Sequence, residues 1–176
     1  MNELITYILK KIRNGTTKKG APFKFGSLAS SYKKKPEQRM VVIREITNNE
    51  LIIYTDNRSQ KIEHFKKNNK ASLLFYDSET MEQLILKGVI KIENTDTNKV
   101  WKTIPKFAHR DYTSVLAPGT SITSEIAEYS ETKHNFCYLK FTFDSIDYLN
   151  IDKPCNKRVQ FSLDQNNSWK GTYVVP

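Results

Sequence analysis

The stretch LIIYTDNRSQKIEHFKK, Leu51 to Lys67, changes character halfway along. Leu51 to Thr55 is a run of apolar and β-branched residues that suits a strand. Asp56-Asn57-Arg58-Ser59 are turn and capping types, and Gln60 to Lys67 follows as a short helix with Ile62 and Phe65 as its buried positions. A strand that ends in threonine therefore feeds a helix beginning near Ser59. The first amides of a helix lack partners and face the positive end of its dipole, so such a mouth suits a phosphate. Arg58 and Lys61 add positive charge there, and Ser59 adds a hydroxyl donor. The same residues also fit a plain N-cap with a solvated lysine, and the stretch alone leaves both readings open.

Outward from this unit the pattern is mostly β. Lys24 to Tyr32 and Glu37 to Ile46 read as two strands before it, with Asn48-Asn49 as the turn into Leu51. Ala71 to Tyr76 and Met81 to Glu93 read as two strands after it, with Gly88 marking a bulge in the longer one. Glu3 to Arg13 places Leu4, Ile5, Ile8, Leu9 and Ile12 on one helical stripe, and Asn14-Gly15 is expected to stop that helix. A polar segment from Thr95 turns helical through Val100 and Trp101. Residues 105–131, with Pro118-Gly119 and many Ser and Thr, read as a long loop holding short helices. Phe136 to Tyr148 alternates, with Leu139, Phe141 and Phe143 on one face. Arg158 to Leu163 and Trp169 to Val175 form a terminal hairpin around Asn166-Asn167. Antiparallel strands with few helices predict a mainly β barrel or sandwich.

The length of 176 residues suits one domain spanning 1–176. No apolar run approaches the roughly 20 residues that span a bilayer, and Met1 to Leu9 lacks the basic start of a secretory signal. Cys137 and Cys155 allow one disulfide but no stapled framework; a cytoplasmic protein is expected. The net charge is +9, which attracts anionic partners of several kinds. The basic clusters, Lys10-Lys11, Lys18-Lys19, Lys33-Lys34-Lys35 and Lys66-Lys67, are scattered and read as solvated surface. They show no aromatic interleaving, so a nucleic-acid-binding barrel that stacks bases on Tyr138 and Phe141 is a poorer reading. His64, His109 and His134 have no metal-site spacing with the cysteines, and neither a Gly-rich phosphate loop nor a nucleophile triad is present.

Two further pieces bear on a ligand. Arg39-Met40-Val41-Val42-Ile43-Arg44 brackets an apolar strand with two arginines that a regular strand points to opposite faces; if one ligand meets both, the strand bulges, or the ligand spans its edge or a dimer seam. Gln83 sits among apolar neighbours, where a buried amide needs partners. The ordered set Arg39-x4-Arg44, Tyr54-Thr55, Arg58-Ser59-x-Lys61 and Glu82-Gln83-x4-Gly88, with Trp169 before a terminal Pro176, resembles the pyridoxamine 5′-phosphate oxidase-like flavoproteins over most of residues 22–94 and again over 136–176.

The resemblance implies a split β-barrel, a six-stranded antiparallel Greek key with flanking helices, working as a homodimer with FMN at the seam. It implies that Arg39, Ser59 and Lys61, joined by Arg58, hold the flavin phosphate. Met40, Val42, Tyr54 and Thr55 would line the cofactor, Gln83 would meet the isoalloxazine edge, and Arg44 would stand where the oxidases carry a lysine near cofactor and substrate phosphate. It implies an FMN-dependent oxidoreductase that passes a hydride to flavin N5 from a small, phosphorylated substrate. The chain departs from the family at Gln60, where a basic residue is usual, at Leu149 in place of a tryptophan, and at Cys155-Asn156-Lys157-Arg158 in place of an Arg/His pair. Trp101, Arg110 and Arg158 are the remaining candidates for the substrate. The cofactor site therefore reads as kept and the substrate site as altered. A flavin binder or sensor without turnover is the alternative.

Overall fold

In the computed structural model, which describes residues 1–151 and 154–176, the strands follow the period-2 pattern closely. Helix α1 (Asn2–Thr17) precedes β1 (Phe25–Tyr32), β2 (Lys35–Thr47) and β3 (Glu50–Asp56). Helix α2 (Gln60–Lys67), with the bounds expected from its sequence, leads to β4 (Lys70–Asp77) and β5 (Glu82–Glu93). Helix α3 (Thr97–Thr103) and a 3₁₀ segment, Lys106–Tyr112, precede β6 (Phe136–Asn150), and β7 (Lys157–Leu163) and β8 (Trp169–Val174) end the chain.

The strands run in the order β3-β2-β1-β4-β5-β6, and β6 pairs back with β3. Six antiparallel strands thus close on themselves, which removes the exposed edges an open sheet would carry. The meander β1-β2-β3, followed by β4 returning beside β1, is a Greek key; α2 makes the crossing. β6 is long enough to pair with β3 through its first half and with the hairpin β7-β8 through its second. Leu51, Ile53, Leu84, Leu86, Leu139, Phe141 and Phe143 are buried in the core, on the alternating positions that face it. No helix among the described residues is long and apolar enough to cross a membrane. Cys137 is buried, Cys155 is exposed and both are free, so the disulfide the sequence allowed is not made.

Three features depart from the sequence reading. Helix α1 runs past Asn14-Gly15 to Thr17. Gly15 is there for contact: a Cβ on it would lie 2.5 Å from the carbonyl of Phe23, so the glycine lets the chain after the helix pack directly on it. At Gly88 the register of β5 against β6 shifts, Lys87 facing Ser145 and Gly88 facing Phe143, so that Asp144 is the extra residue and the alternation of β6 changes phase there.

Lys11, read as solvated, is the third. Its side chain is only 14% exposed; it pairs with Asp77 at 2.7 Å and also with Glu82. Glu82 further accepts from Tyr7 at 3.0 Å, Thr80 at 2.6 Å and Tyr148 at 2.5 Å, so this cluster pins α1 to the β4-β5 end of the barrel. Burial by itself would raise the pKa of Asp77, but hydrogen bonds from Lys11, Thr80 and the Glu79 amide prevail and hold it at about 2. A carboxylate depressed in this way stabilises the fold above its ordinary pKa and loses that contribution as pH falls toward 2. Asp77→Asn is expected to lower the melting temperature at neutral pH. It should also flatten the dependence between about pH 4 and pH 2, as read by circular dichroism; an unchanged acid profile would refute the role.

Candidate functional site

Strand β3 ends at the mouth of the barrel, and the turn Asn57-Arg58-Ser59 folds α2 back over it. Thr55 and Ser59 are buried there. Lys61, in the first turn of α2, reaches back with its Nζ 3.0 Å from Thr55 Oγ1 and 3.1 Å from Ser59 Oγ. Ser59 Oγ donates to the Asp56 carbonyl at 2.8 Å. No ion pair is made by Lys61 among the described residues. Its ammonium is held below the ordinary lysine range, first by burial and next by the positive charge of Arg39. Two partly buried cations therefore share one corner of the barrel.

Arg39 reaches the same corner from β2. One guanidinium nitrogen donates to Ser30 Oγ at 2.7 Å and to the Leu28 carbonyl at 3.3 Å; the other donates to Glu37 Oε2 at 3.1 Å. Burial lowers the pKa of Arg39, and Glu37 offsets part of that. Buried His64 lies beside them with Nδ1 3.1 Å from Ser30 Oγ, and Gln60 Nε2 donates to Glu37 Oε1 at 2.9 Å. Sequence reasoning missed Glu37, Ser30 and His64. Glu37 had a usable signal, since two residues before Arg39 on one strand means the same face.

The other sequence-predicted residues are placed as follows. β2 does bulge, and the extra residue is Arg44 itself: Ile43 faces Ile53 and Glu45 faces Ile52. The bulge does not bring Arg44 to Arg39. Met40 is 65% exposed and, with Val42 and Arg44, alternates with the buried Val41 and Ile43. Arg44 lies over the ring of Tyr54, 5.4 Å from its centroid, and its Nε is buried without a partner among the described residues. A cavity of about 240 Å³ opens beside these two, walled also by Thr103, Ile104, Pro105, Phe107 and Ala108.

Arg58 does not join the phosphate corner. It is bound to Asp56 at 2.7 and 3.1 Å and to the carbonyls of Ser114 and Val115 at 2.8 and 2.9 Å. An acid two positions earlier has neutralised it, and it serves to hold the long loop. Gln83 is partly exposed rather than buried. It faces Leu149 on β6, whereas Thr55 faces Cys137. Twelve positions along β6 correspond to a contour of roughly 40 Å at most, so Gln83 and Thr55 pair toward opposite ends of that strand.

Of the substrate candidates, Trp101 is packed on the outside of β3 and β6. Its ring is stacked between His109 and His134, with centroids at 3.8 and 4.2 Å, and it touches Phe136. Arg110 lies 4.3 Å over the ring of Tyr129. Arg158 is paired with Asp147 through bonds of 2.9 and 2.8 Å. The three do not converge, because each has a partner of its own.

The corner fits a phosphate. An ammonium whose partners among the described residues are hydroxyls, a guanidinium beside it and the buried hydroxyl of Thr55 are donors that suit a dianionic phosphoryl group, and among the described residues they leave positive charge uncompensated. Arg44, with a buried nitrogen unpartnered among the described residues, adds a second donor to the outer face of β2.

Comparison with known proteins gives the same direction. Residues 2–94 match the family model described as pyridoxamine 5′-phosphate oxidase, FMN-binding domain. A pyridoxine/pyridoxamine 5′-phosphate oxidase 2 of Arabidopsis thaliana is 30% identical over 145 residues, covering 73% of this chain and 72% of that protein. A pyridoxine/pyridoxamine 5′-phosphate oxidase of Blochmanniella pennsylvanica is 36% identical over 72 residues, 40% of this chain; the match spans only 33% of that relative's length. Among solved structures, a pyridoxamine 5′-phosphate oxidase-related, FMN-binding protein of Nostoc punctiforme superposes with a TM-score of 0.77 at 19% identity, covering 97% of this chain and 96% of that one. PhzG of Burkholderia lata, solved with tetrahydrophenazine-1-carboxylic acid, superposes with a TM-score of 0.75 at 17% identity, covering 99% and 92%. At these identities the superpositions establish the fold.

Proposed function

Because the chain belongs to the FMN-binding pyridoxamine 5′-phosphate oxidase family, we propose that Lys61, Ser59, Thr55 and Arg39 hold the phosphate of FMN and that the protein is a flavin-dependent oxidoreductase. The observation that carries this reading is the ammonium of Lys61, set among hydroxyls beside a second cation and, among the described residues, paired with no carboxylate. Burying a charge without a counter-ion is costly, and a bound phosphate would relieve that cost.

When bound, the flavin supplies the redox chemistry, accepting a hydride at N5; the chain's own part is to hold and orient. In this reading Met40 and Val42, on the outer face of β2, and Tyr54 beside Arg44 would line the flavin ring. Arg44 remains a cation at any accessible pH, so it orients and attracts an anionic group rather than moving a proton. The cavity beside Arg44 and Tyr54 receives a small anionic substrate, of the phosphorylated kind the family suggests. The pairing of Gln83 and Thr55 toward opposite ends of β6 supports a homodimer, in which a second copy would bring its own Gln83 to the flavin ring. Two free cysteines suit a reducing, cytoplasmic setting.

A second reading, flavin binding without turnover, draws on Arg158, whose charge is taken up by Asp147 instead of awaiting a substrate. Two measurements test these readings. Protein incubated with FMN and passed through gel filtration is expected to emerge yellow, with the flavin bands in its absorption spectrum; a colourless protein would overturn the cofactor site. Stopped-flow mixing of photoreduced protein with candidate acceptors, and of oxidised protein with pyridoxine phosphate, separates an enzyme from a binder.

A further inference from the structure

The same corner contains a negative charge that the phosphate reading does not use. Glu37 and Arg39 are two apart on β2, so their side chains leave the same face. Glu37 Oε2 takes one of the two N–H donors of Arg39 Nη2 at 3.1 Å, while Nη1 is given to Ser30 and Leu28. Its other oxygen accepts from Gln60 Nε2 at 2.9 Å, and His64 Nδ1 stands 3.9 Å from Oε2. The carboxylate thus bridges β2 to the first turn of α2, on the rim of the site assigned to phosphate. Gln60 stands where the family usually has a basic residue, and here it holds an acid in place.

We propose that Glu37 is a built-in counter-ion of the phosphate pocket, competing with the cofactor's phosphate for Arg39 and so setting how weakly FMN is held; this rests on the assignment of Arg39 and Lys61 to the phosphate. With Glu37 in place, the two cations present a net charge of one rather than two. A dianionic phosphomonoester then meets a half-neutralised pocket and a like charge at its rim. The Glu37 side chain is 35% exposed, so it can rotate to solvent and free Arg39 Nη2, at the cost of the bonds to Arg39 and Gln60. FMN's phosphate and Glu37 compete for the charge of Arg39, and part of the energy of the Glu37–Arg39 pair is subtracted from the affinity.

The test compares FMN with riboflavin, which has the same ring and no phosphate, by flavin-fluorescence titration of the apoprotein. Wild type is expected to prefer FMN. Glu37→Gln is expected to tighten FMN by about fivefold, the scale of a partly exposed charge pair, and to leave riboflavin unchanged; Glu37→Ala should do the same. If wild type prefers FMN but both variants bind it equally or more weakly, Glu37 merely orients Arg39 and the inference fails alone. Equal tightening of riboflavin also overturns it. If wild type does not distinguish the two flavins, the phosphate assignment fails and the inference falls with it.

Discussion

Gly88→Ala is expected to destabilise the fold by about 3 kcal/mol and to lower the melting temperature by roughly 6–12 °C. The residue sits where β5 passes the bulge of β6. A Cβ added there would lie 2.1 Å from the Thr142 carbonyl oxygen and 2.6 Å from Phe143 Cα. Both obstacles are backbone, so no side chain can rotate aside. Relief requires the two strands to separate just where Phe141 and Phe143 fill the core, and close-packed interiors transmit such a shift. Gly20→Ala is the control. Gly20 has a positive φ of 76° but nothing within 4 Å of the added carbon, so only the backbone preference is lost, about 1 kcal/mol. Thermal denaturation of both variants decides the point; a Gly88→Ala protein that melts with wild type would show that the barrel can take up a methyl group between β5 and β6 at no cost.

Gly88 also shows how far the sequence could be read. A glycine inside an apolar alternating run signals a bulge; one is there, but on the partner strand, with Asp144 of β6 as the extra residue and Gly88 making room for it. The strands were legible for the same reason, since alternation of period two is written locally. The helix α2 was legible from its caps and the spacing of Ile62 and Phe65. The closing pair β3-β6 was not, because residues some ninety positions apart leave no local mark of their pairing. Gly15 misled for a related reason: a glycine chosen for close approach to Phe23 looks, in sequence, like one chosen to end a helix. Lys11 looked solvated because Asp77 and Glu82, which neutralise it, come from another part of the chain. At the site, the strand-turn-helix unit announced Ser59 and Lys61, whereas Arg58 was misplaced because the nearby Asp56 captures it. Trp101 could be nominated but its setting could not, since of the two histidines stacked on it one comes from the 3₁₀ segment and the other from the loop before β6.

Lys61→Met is expected to weaken FMN binding roughly tenfold to a hundredfold while leaving riboflavin affinity unchanged. A charge-assisted hydrogen bond to phosphate is worth about 1.5–3 kcal/mol, which corresponds to that range. The apoprotein should behave in the opposite sense. In the empty pocket burial and Arg39 both oppose the charge of Lys61 and lower its pKa, so the folded state holds that proton less tightly than the unfolded chain does. This penalises folding at neutral pH, and the penalty fades as pH rises through the lowered pKa. Replacing the ammonium by a thioether of similar length removes it. The apo form of Lys61→Met is therefore expected to melt at or above the wild-type temperature even as it loses the cofactor, the pattern of a site that gives up stability for function. The same titration sets the pH dependence of binding. FMN affinity in wild type should hold through neutrality and decline as alkaline pH strips the proton from Lys61, below the ordinary lysine value of 10.5. Lys61→Arg, which keeps its charge at any such pH, should lose some affinity to its different donor geometry but show no alkaline decline. Isothermal titration calorimetry across pH, with differential scanning calorimetry of the apo forms, reads both effects. If Lys61→Met held FMN as tightly as wild type, the partly buried ammonium would have to be explained without a phosphate, and the hydroxyls of Thr55 and Ser59 would be its partners for structural reasons alone.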